Sequence, residues 1–343
     1  MQRRTFVTLA AASTATLAAP VITSAALAQD DTNRDSTDQW GREARGGLDA
    51  ALRRFLALPG TKSYLIHVGQ GGALRRIAHQ PDLFLFTASA YKTFVLGQYL
   101  RDVEAGLLSE DEQLAIDDSA RTIGSSVFGD LAGETKARSV LEGMIAHSDN
   151  MATDIATENV GADRVRALIA EASLSSIRIP DSTRRFLSYI LGAPAGTDLG
   201  WPGIANALRD RPGSRRSPLN DAITLAGNAR DFVSWYEQAL RGTFFANRAT
   251  LTEFKRIQAM SVQIAQAVPP DTPAYAKGGE LPWPGLSTKS FAGQIVVGGD
   301  GRTPVTFCFI VNWNGPESDF PAVEAEFFGA IKGILRIIKR GLQ

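Results

Sequence analysis

Strand-like runs stand near both ends of this chain and helix-like runs fill its middle, and that order constrains the fold more than any other feature. Late in the sequence, "PAYAKGGEL", "KSFAGQIVVGG" and "TPVTFCFIVNWN" are apolar, β-branched segments separated by turn chemistry, including Gly298-Gly299-Asp300-Gly301. "FPAVEAEFFGAIKGILRIIKRGL" follows as an amphipathic helix. Early in the sequence, "WGREARGGLDAALRRFLALPG" spaces its apolar residues as a helix does and stops at Pro59-Gly60. "KSYLIHVGQGGALRRIAHQ" then reads as a hairpin around Gly69-Gln70-Gly71-Gly72. The spacing predicts a further helix from Ser89 to about Glu104, with Ala105-Gly106 as its C-cap. The expectation is an α/β (α+β) fold: an antiparallel five-stranded sheet flanked by helices, with an inserted all-helical subdomain. The sheet subdomain takes residues 41–106 plus 241–343, and the helical subdomain 107–240. Within the latter, residues 176–220 hold Pro180, Pro194, Pro202, Pro212 and Pro218. That stretch reads as a long irregular loop with short helical pieces, and such loops are usually functional or mobile.

Residues 1–28 are read apart from the fold. Arg3 and Arg4 precede an Ala-rich apolar run that ends at Ala26-Leu27-Ala28. Paired arginines before a mild apolar stretch read as a twin-arginine export signal, with cleavage after Ala28. A membrane anchor is the other reading, but the run is short and broken by Thr and Ser. Residues 29–40 form a polar tether. The expected location is periplasmic or secreted, with no membrane attachment after cleavage.

Lys plus Arg and Asp plus Glu each number 36, so the net charge is zero and no basic excess points to nucleic acid. Cys308 is the single cysteine and cannot close an intramolecular disulfide. It reads as a small buried apolar residue. His67, His79 and His147 have no metal-ligand spacing, so neither a metal nor another cofactor is expected.

Three short motifs carry the chemistry. Ser89 and Lys92 stand three apart at a helix start, so their side chains share a face. Alone this pair means little. Ser148-Asp149-Asn150 follows at the end of an apolar helical run, and Lys277-Gly278-Gly279 falls on a late strand. S-x-x-K, S-D-N and K-x-G, in that order and in those elements, resemble the set found in class A β-lactamases and penicillin-binding proteins. The resemblance spans about residues 40 to 343, and "LEGMIAHSDNMATDI" is similar to the class A version in particular.

The resemblance implies a serine hydrolase that forms an acyl-enzyme. Ser89 would be the nucleophile and Lys92 its base, kept partly neutral by burial and by the charge of Lys277. Ser148 would bridge the two lysines and pass a proton to the leaving atom. Asn150 would hold Lys92 and the substrate's amide, while Asp149 braces the loop. The oxyanion hole would be the backbone N–H groups of Ser89 and Glu280, with Gly278 and Gly279 beside the substrate. The expected partner is a small molecule (a β-lactam, a peptidoglycan-like peptide or an ester), and the expected state is a monomer.

Two departures stand out. The class A glutamate that activates the deacylating water has no counterpart, because no Glu lies between Glu171 and Glu237. Asp181 is the carboxylate nearest the expected place, though "PDSTRRF" also suits a turn or a helix N-cap. Gly278 replaces the usual Thr or Ser, whose hydroxyl helps bind the β-lactam carboxylate in that family. A threonine at 278 is therefore expected to tighten β-lactam binding, and Lys277, Lys289 or an arginine of the long loop is left to supply positive charge. Three readings compete: a β-lactamase, an esterase or D,D-peptidase-like hydrolase with weak β-lactam turnover, and a non-catalytic binding relative.

Overall fold

The structure, a computed structural model, describes residues 42–210, 215–298 and 303–342. The expected export signal (1–28) and tether (29–40) lie outside the described residues. The described residues form one compact unit.

The chain opens with helix α1 (Arg42–Leu56) and the hairpin β1 (Thr61–Val68) and β2 (Arg75–His79). A short strand β3 (Leu85–Phe86) leads into a 3-10 turn, Ala88–Tyr91, and helix α2 (Lys92–Glu104). Next come β4 (Gln113–Ile116), β5 (Gly133–Lys136), α3 (Ala137–Ala146), α4 (Asn150–Val160) and α5 (Ala162–Glu171). The proline-rich stretch contains α6 (Thr183–Ile190) and α7 (Gly200–Asp210). After β6 (Ala226–Gly227) run α8 (Ala229–Arg241), α9 (Arg248–Gln258) and α10 (Ile264–Ala267). Strands β7 (Ala274–Leu281), β8 (Ser287–Val297) and β9 (Thr303–Trp313) and helix α11 (Phe320–Gly341) close the fold.

The five-stranded sheet has the order β2-β1-β9-β8-β7, with every pair antiparallel. Strands from the two ends of the chain meet where β1 pairs with β9, Leu65 opposite Cys308. β9 is buried on both faces, as a central strand must be when both faces are covered. Its side chains alternate with the period of two that a pleated strand imposes. Phe307, Phe309 and Val311 join the core made with α1 and α11. Cys308 and Ile310 join the core made with the helical body.

The α+β architecture stands as the sequence implies, with two differences in detail. Two small antiparallel pairs put strand where the 107–240 stretch reads as helix: β4 with β5, and β6 with β3. In β4 only Leu114 and Ile116 are buried, so the alternation is too short to register as a strand. Helix α8 belongs by sequence to the helical stretch, yet it packs on the sheet, and His67 of β1 meets Glu237 of α8 at 2.8 Å. No helix among the described residues is long and apolar enough to cross a membrane.

Candidate active site

The turn before Ser89 is clamped from the sheet. Asn312 of β9 accepts from the Phe86 N–H at 2.9 Å and donates to the Phe86 carbonyl at 2.8 Å. Thr288 Oγ1 of β8 donates to the same carbonyl at 2.9 Å, and Ser290 Oγ donates to the Thr87 carbonyl at 2.7 Å. The chain then passes through Ala88 with φ +47°, a left-handed conformation that costs a non-glycine residue energy and is held here by its neighbours. From Thr87 to Tyr91 every residue is buried except Ser89, which is the residue this turn leaves partly open to solvent. The expected helix from Ser89 divides into a 3-10 turn and α2, with the Lys92 N–H bonded to the Ser89 carbonyl. An i to i+3 bond of this kind puts side chains three apart on one face of the turn, the relation expected for Ser89 and Lys92.

Lys92 is fully buried and already surrounded by acceptors. Its Nζ donates to the Ser148 carbonyl at 2.6 Å and to Asn150 Oδ1 at 2.7 Å, and lies 3.4 Å from Ser148 Oγ. Burial pushes this ammonium down to about 7, against the opposing pull of Asp149 and Asp154. Lys277 comes from β7, 1 % exposed, and its Nζ reaches Ser148 Oγ at 3.0 Å. Burial also pushes Lys277 well below an ordinary lysine, and the charge of Lys92 pushes it the same way. One serine hydroxyl thus lies between two amines that disfavour each other's protonation.

The S-D-N loop holds Ser148 at φ +58°, again left-handed. Asp149 makes that possible as the N-cap of α4, accepting from Ala152 N at 2.8 Å with one oxygen and from Val127 N (2.8 Å) and Phe128 N (3.0 Å) with the other. It braces the loop as expected. Asn150 spends Oδ1 on Lys92 and one Nδ2 hydrogen on the Ile123 carbonyl at 2.8 Å, leaving a second hydrogen on the amide.

β7 lies at the sheet edge and runs against the Ser89 turn. A Cβ on Gly279 would sit 2.2 Å from the Thr87 carbonyl oxygen and 2.6 Å from Ser89 N. Only glycine lets the strand approach that closely. Glu280 is the next residue of β7 after this close approach. Gly278 is equally constrained: a Cβ there would meet Gln263 Oε1 at 2.1 Å and the Ser290 carbonyl oxygen at 2.7 Å. The place expected to admit a threonine is therefore filled by Gln263, and the gain anticipated for that substitution gives way to a clash with side chain and backbone.

Asp181 is placed differently from the expectation. Its carboxylate is half exposed and accepts from Arg166 at 2.5 Å and from Arg185 at 3.4 Å. The Arg166 guanidinium holds it below the usual carboxylate range, which makes it a weak base. It does not cap α6 either. That N-terminus is taken by Ser182, which accepts from Arg185 N, and by Asp154, whose oxygens accept from Thr183 N at 2.6 Å and Arg184 N at 2.9 Å. Burial lifts Asp154 to about 6, with those N–H groups and Lys92 pulling the other way. Asp154 stands one turn beyond Asn150 on α4, a spacing that could have marked it in "SDNMATD". Tyr91 Oη and Thr183 Oγ1, 2.9 Å apart, join this cap to the Ser89 turn.

The other cations named from sequence are committed. Lys289, fully buried on β8, pairs with Glu280 and with Glu324, the latter at 2.5 Å, and lies 4.7 Å from the Phe328 ring centroid. Arg184 pairs with Asp198, Arg209 with Asn206, and Arg216 binds the carbonyls of Tyr189, Gly192 and Ala193. Arg215 lies over the Trp283 ring, beyond the end of β7, and Arg178 binds the carbonyl of Ser175. Arg211 lies outside the described residues. Among the described residues no cluster of His, Cys, Asp and Glu could hold a metal.

Solved structures share this fold. PBP-A matches with a TM-score of 0.64 at 14% identity, over 86% of this chain and 96% of that one. A mutant of PBP-A, solved as its acyl-enzyme complex with penicillin G, matches at 0.62. A β-lactamase from Chitinophaga pinensis matches at 0.67 and 16% identity, over 87% of this chain and 100% of its own. One from Sphaerobacter thermophilus matches at 0.63 and 20% identity, over 85% and 95%. No curated protein matches the sequence. The model of the β-lactamase enzyme family matches residues 50–293, which carry all three motifs. By that match, and with its motifs gathered around one serine, the chain belongs to the β-lactamase enzyme family.

Proposed function

We propose that the protein is an exported serine hydrolase, acylated at Ser89, that cleaves β-lactams or related amide and ester bonds. The observation that carries this reading is the Lys92–Ser148–Lys277 cluster, with Nζ-to-Oγ distances of 3.4 and 3.0 Å around one hydroxyl. Ser89 Oγ bonds to the substrate carbonyl carbon as its proton passes to neutral Lys92. The oxyanion rests between the Ser89 and Glu280 amides. The bond from carbonyl carbon to leaving nitrogen or oxygen then breaks. That atom takes a proton from Ser148, which Lys92 replenishes. Release needs a water, and Asp181, tied to two arginines, gives it little help.

A second reading, an esterase or D,D-peptidase-like hydrolase with weak β-lactam turnover, is favoured by the absence of glutamate between Glu171 and Glu237. The likeness to PBP-A, one mutant of which was trapped as its penicillin G acyl-enzyme, points the same way. Intact-mass spectrometry after incubation with a chromogenic cephalosporin and with a simple ester tests both. The wild type gains the mass of the acyl group and Ser89→Ala gains none. A wild type that stays unmodified by either compound overturns the proposal. Repeated turnover of the cephalosporin supports the first reading, and a lasting adduct with brisk ester turnover supports the second.

A further inference from the structure

The residue after Lys92 enters a set of buried hydrogen bonds that the proposed chemistry does not use. Thr93 Oγ1 accepts from Gln258 Nε2, at the end of α9, and from Trp235 Nε1 of α8, each at 2.8 Å. Tyr236 Oη donates to Gln258 Oε1 at 3.2 Å. A threonine hydroxyl that accepts twice still has its own proton to give, and Tyr236 Oη is hydrogen-bonded to Thr93. The Gln258 amide thus closes a ring, donating to Thr93 and accepting from Tyr236. Thr93, Trp235, Tyr236 and Gln258 are all fully buried, so no water competes for these bonds.

The ring ties the start of α2 to the sheet. Thr93 lies in the first turn of α2. Tyr236 lies on α8, which packs on β8 and β9. Lys277, Ala292 and Cys308 stand opposite one another across β7, β8 and β9, so their side chains share one face of the sheet. Ala292 and Cys308 belong to the same core as Trp235 and Tyr236, which sets the ring on the face that carries Lys277. Helix α9 itself packs on both α2 and β7. Just beyond Gln258, Val262 N donates to the Ala146 carbonyl at 3.1 Å, two residues before Ser148.

The charged groups that face Lys92 are Asp149 and Asp154, which favour its ammonium, and Lys277, whose charge and that of Lys92 oppose each other. Asp149 and Asp154 belong to α4 and its N-cap, and neither takes part in the ring. The two lysines repel when both are protonated, so holding them on either side of one hydroxyl requires a frame that keeps α2 from easing away from β7. We propose that Gln258 is a positioning residue for the reaction: through Thr93 and Tyr236 it fixes the first turn of α2 against the sheet, and with it the separation of Lys92 from Lys277 across Ser148. The inference rests on the acylation at Ser89 proposed above.

The test follows adduct formation by intact mass between pH 5 and pH 9, with p-nitrophenyl acetate as the ester and Ser89→Ala as background. Gln258→Leu keeps the bulk and removes both bonds of the amide. With the lysines free to ease apart, the inflection of the acylation rate is expected to rise by about half a pH unit. At pH 6 that slows acylation about threefold, while the plateau at high pH stays within about twofold. Thr93→Val, close in shape but without the hydroxyl, is expected to shift the inflection the same way. Thr93→Ser, which keeps the hydroxyl, is expected to leave it at the wild-type position. A Gln258→Leu protein that melts earlier or reaches a lower plateau, yet keeps the wild-type inflection, shows a structural role only and overturns the inference. Should Gln258→Leu not fold, the two Thr93 variants decide, and equal inflections for Thr93→Val and Thr93→Ser overturn it. If the wild type gains no mass above background, acylation at Ser89 is what fails, and the inference with it.

Discussion

At the scale of single residues, two positions make the site work by opposite means. Lys92 works by being denied solvent. Burial brings its ammonium down to about 7, so the amine is protonated and inactive as a base at low pH and becomes neutral as pH rises through that value. The acylation rate should therefore rise with pH, by about tenfold per unit below pH 7, and level off above it. A profile of adduct formation against pH checks the inflection, and a flat profile between pH 5 and pH 8 would remove Lys92 as the base. Gly279 works by having no side chain. A methyl group there would fall within 2.2 Å of the Thr87 carbonyl oxygen, 2.6 Å of Ser89 N and 2.9 Å of Ala90 N. Gly279→Ala must push β7 off the Ser89 turn. Overpacking of this kind costs about 1–3 kcal/mol in stability, and loss of an aligned oxyanion donor costs about 10²-fold in rate. Acylation should fall far more than the melting temperature does, whereas a variant acylating as fast as the wild type would show that the strand has room.

At the scale of elements, the placement of α6 depends on one carboxylate from another helix. Asp154 of α4 accepts the Thr183 and Arg184 N–H groups, two of the four donors that a helix start leaves without intrahelical partners. Asp154→Ala should cost about 1–3 kcal/mol for each N–H left buried and unpaired. Hydrogen exchange across residues 183–190 should quicken before the rest of the chain responds, and unchanged protection there would show the cap to be redundant. This contact also marks where sequence reading stops. Ser89 with Lys92, and Ser148 with Asn150, were legible because each pair is set by local helix or loop geometry, and the order of strand-like and helix-like runs pointed to the fold. The strands β7, β8 and β9 were legible because their apolar runs are long. Asp154, Gln263 and Asn312 were not, because each acts on a segment brought to it only by tertiary packing. Asp181 looked like the better carboxylate because proximity in sequence was visible and the arginines 166 and 185 that claim it were not identifiable as partners.

At the scale of the whole molecule, the sheet and the helical body share a core rather than meeting across an interface. Leu65 of β1, Ala292 of β8 and Cys308 and Ile310 of β9 lie in the same cluster as Phe94 of α2, Met144 of α3 and Trp235 of α8. Behind Lys92 the connection is also polar. Thr93 Oγ1 accepts from Trp235 Nε1 and from Gln258 Nε2, each at 2.8 Å, and Tyr236 donates to Gln258 Oε1 at 3.2 Å. Such a network is buried, so opening it exposes polar groups and apolar surface together. Neither face of the sheet can be uncovered without unpacking central strands, because β9 contributes alternate residues to both cores. The groups proposed for catalysis span this arrangement, Lys277 from the sheet, Lys92 from α2 and Ser148 from the loop between α3 and α4, so a partly unfolded form would have no site. Thermal unfolding should accordingly be one cooperative transition, with calorimetric and van't Hoff enthalpies equal and with loss of acylation coinciding with loss of tryptophan signal. Two resolved transitions, with the sheet melting apart from the helices, would mean that the shared core does not couple them, and would turn attention to the contacts of α8 as the weak joint.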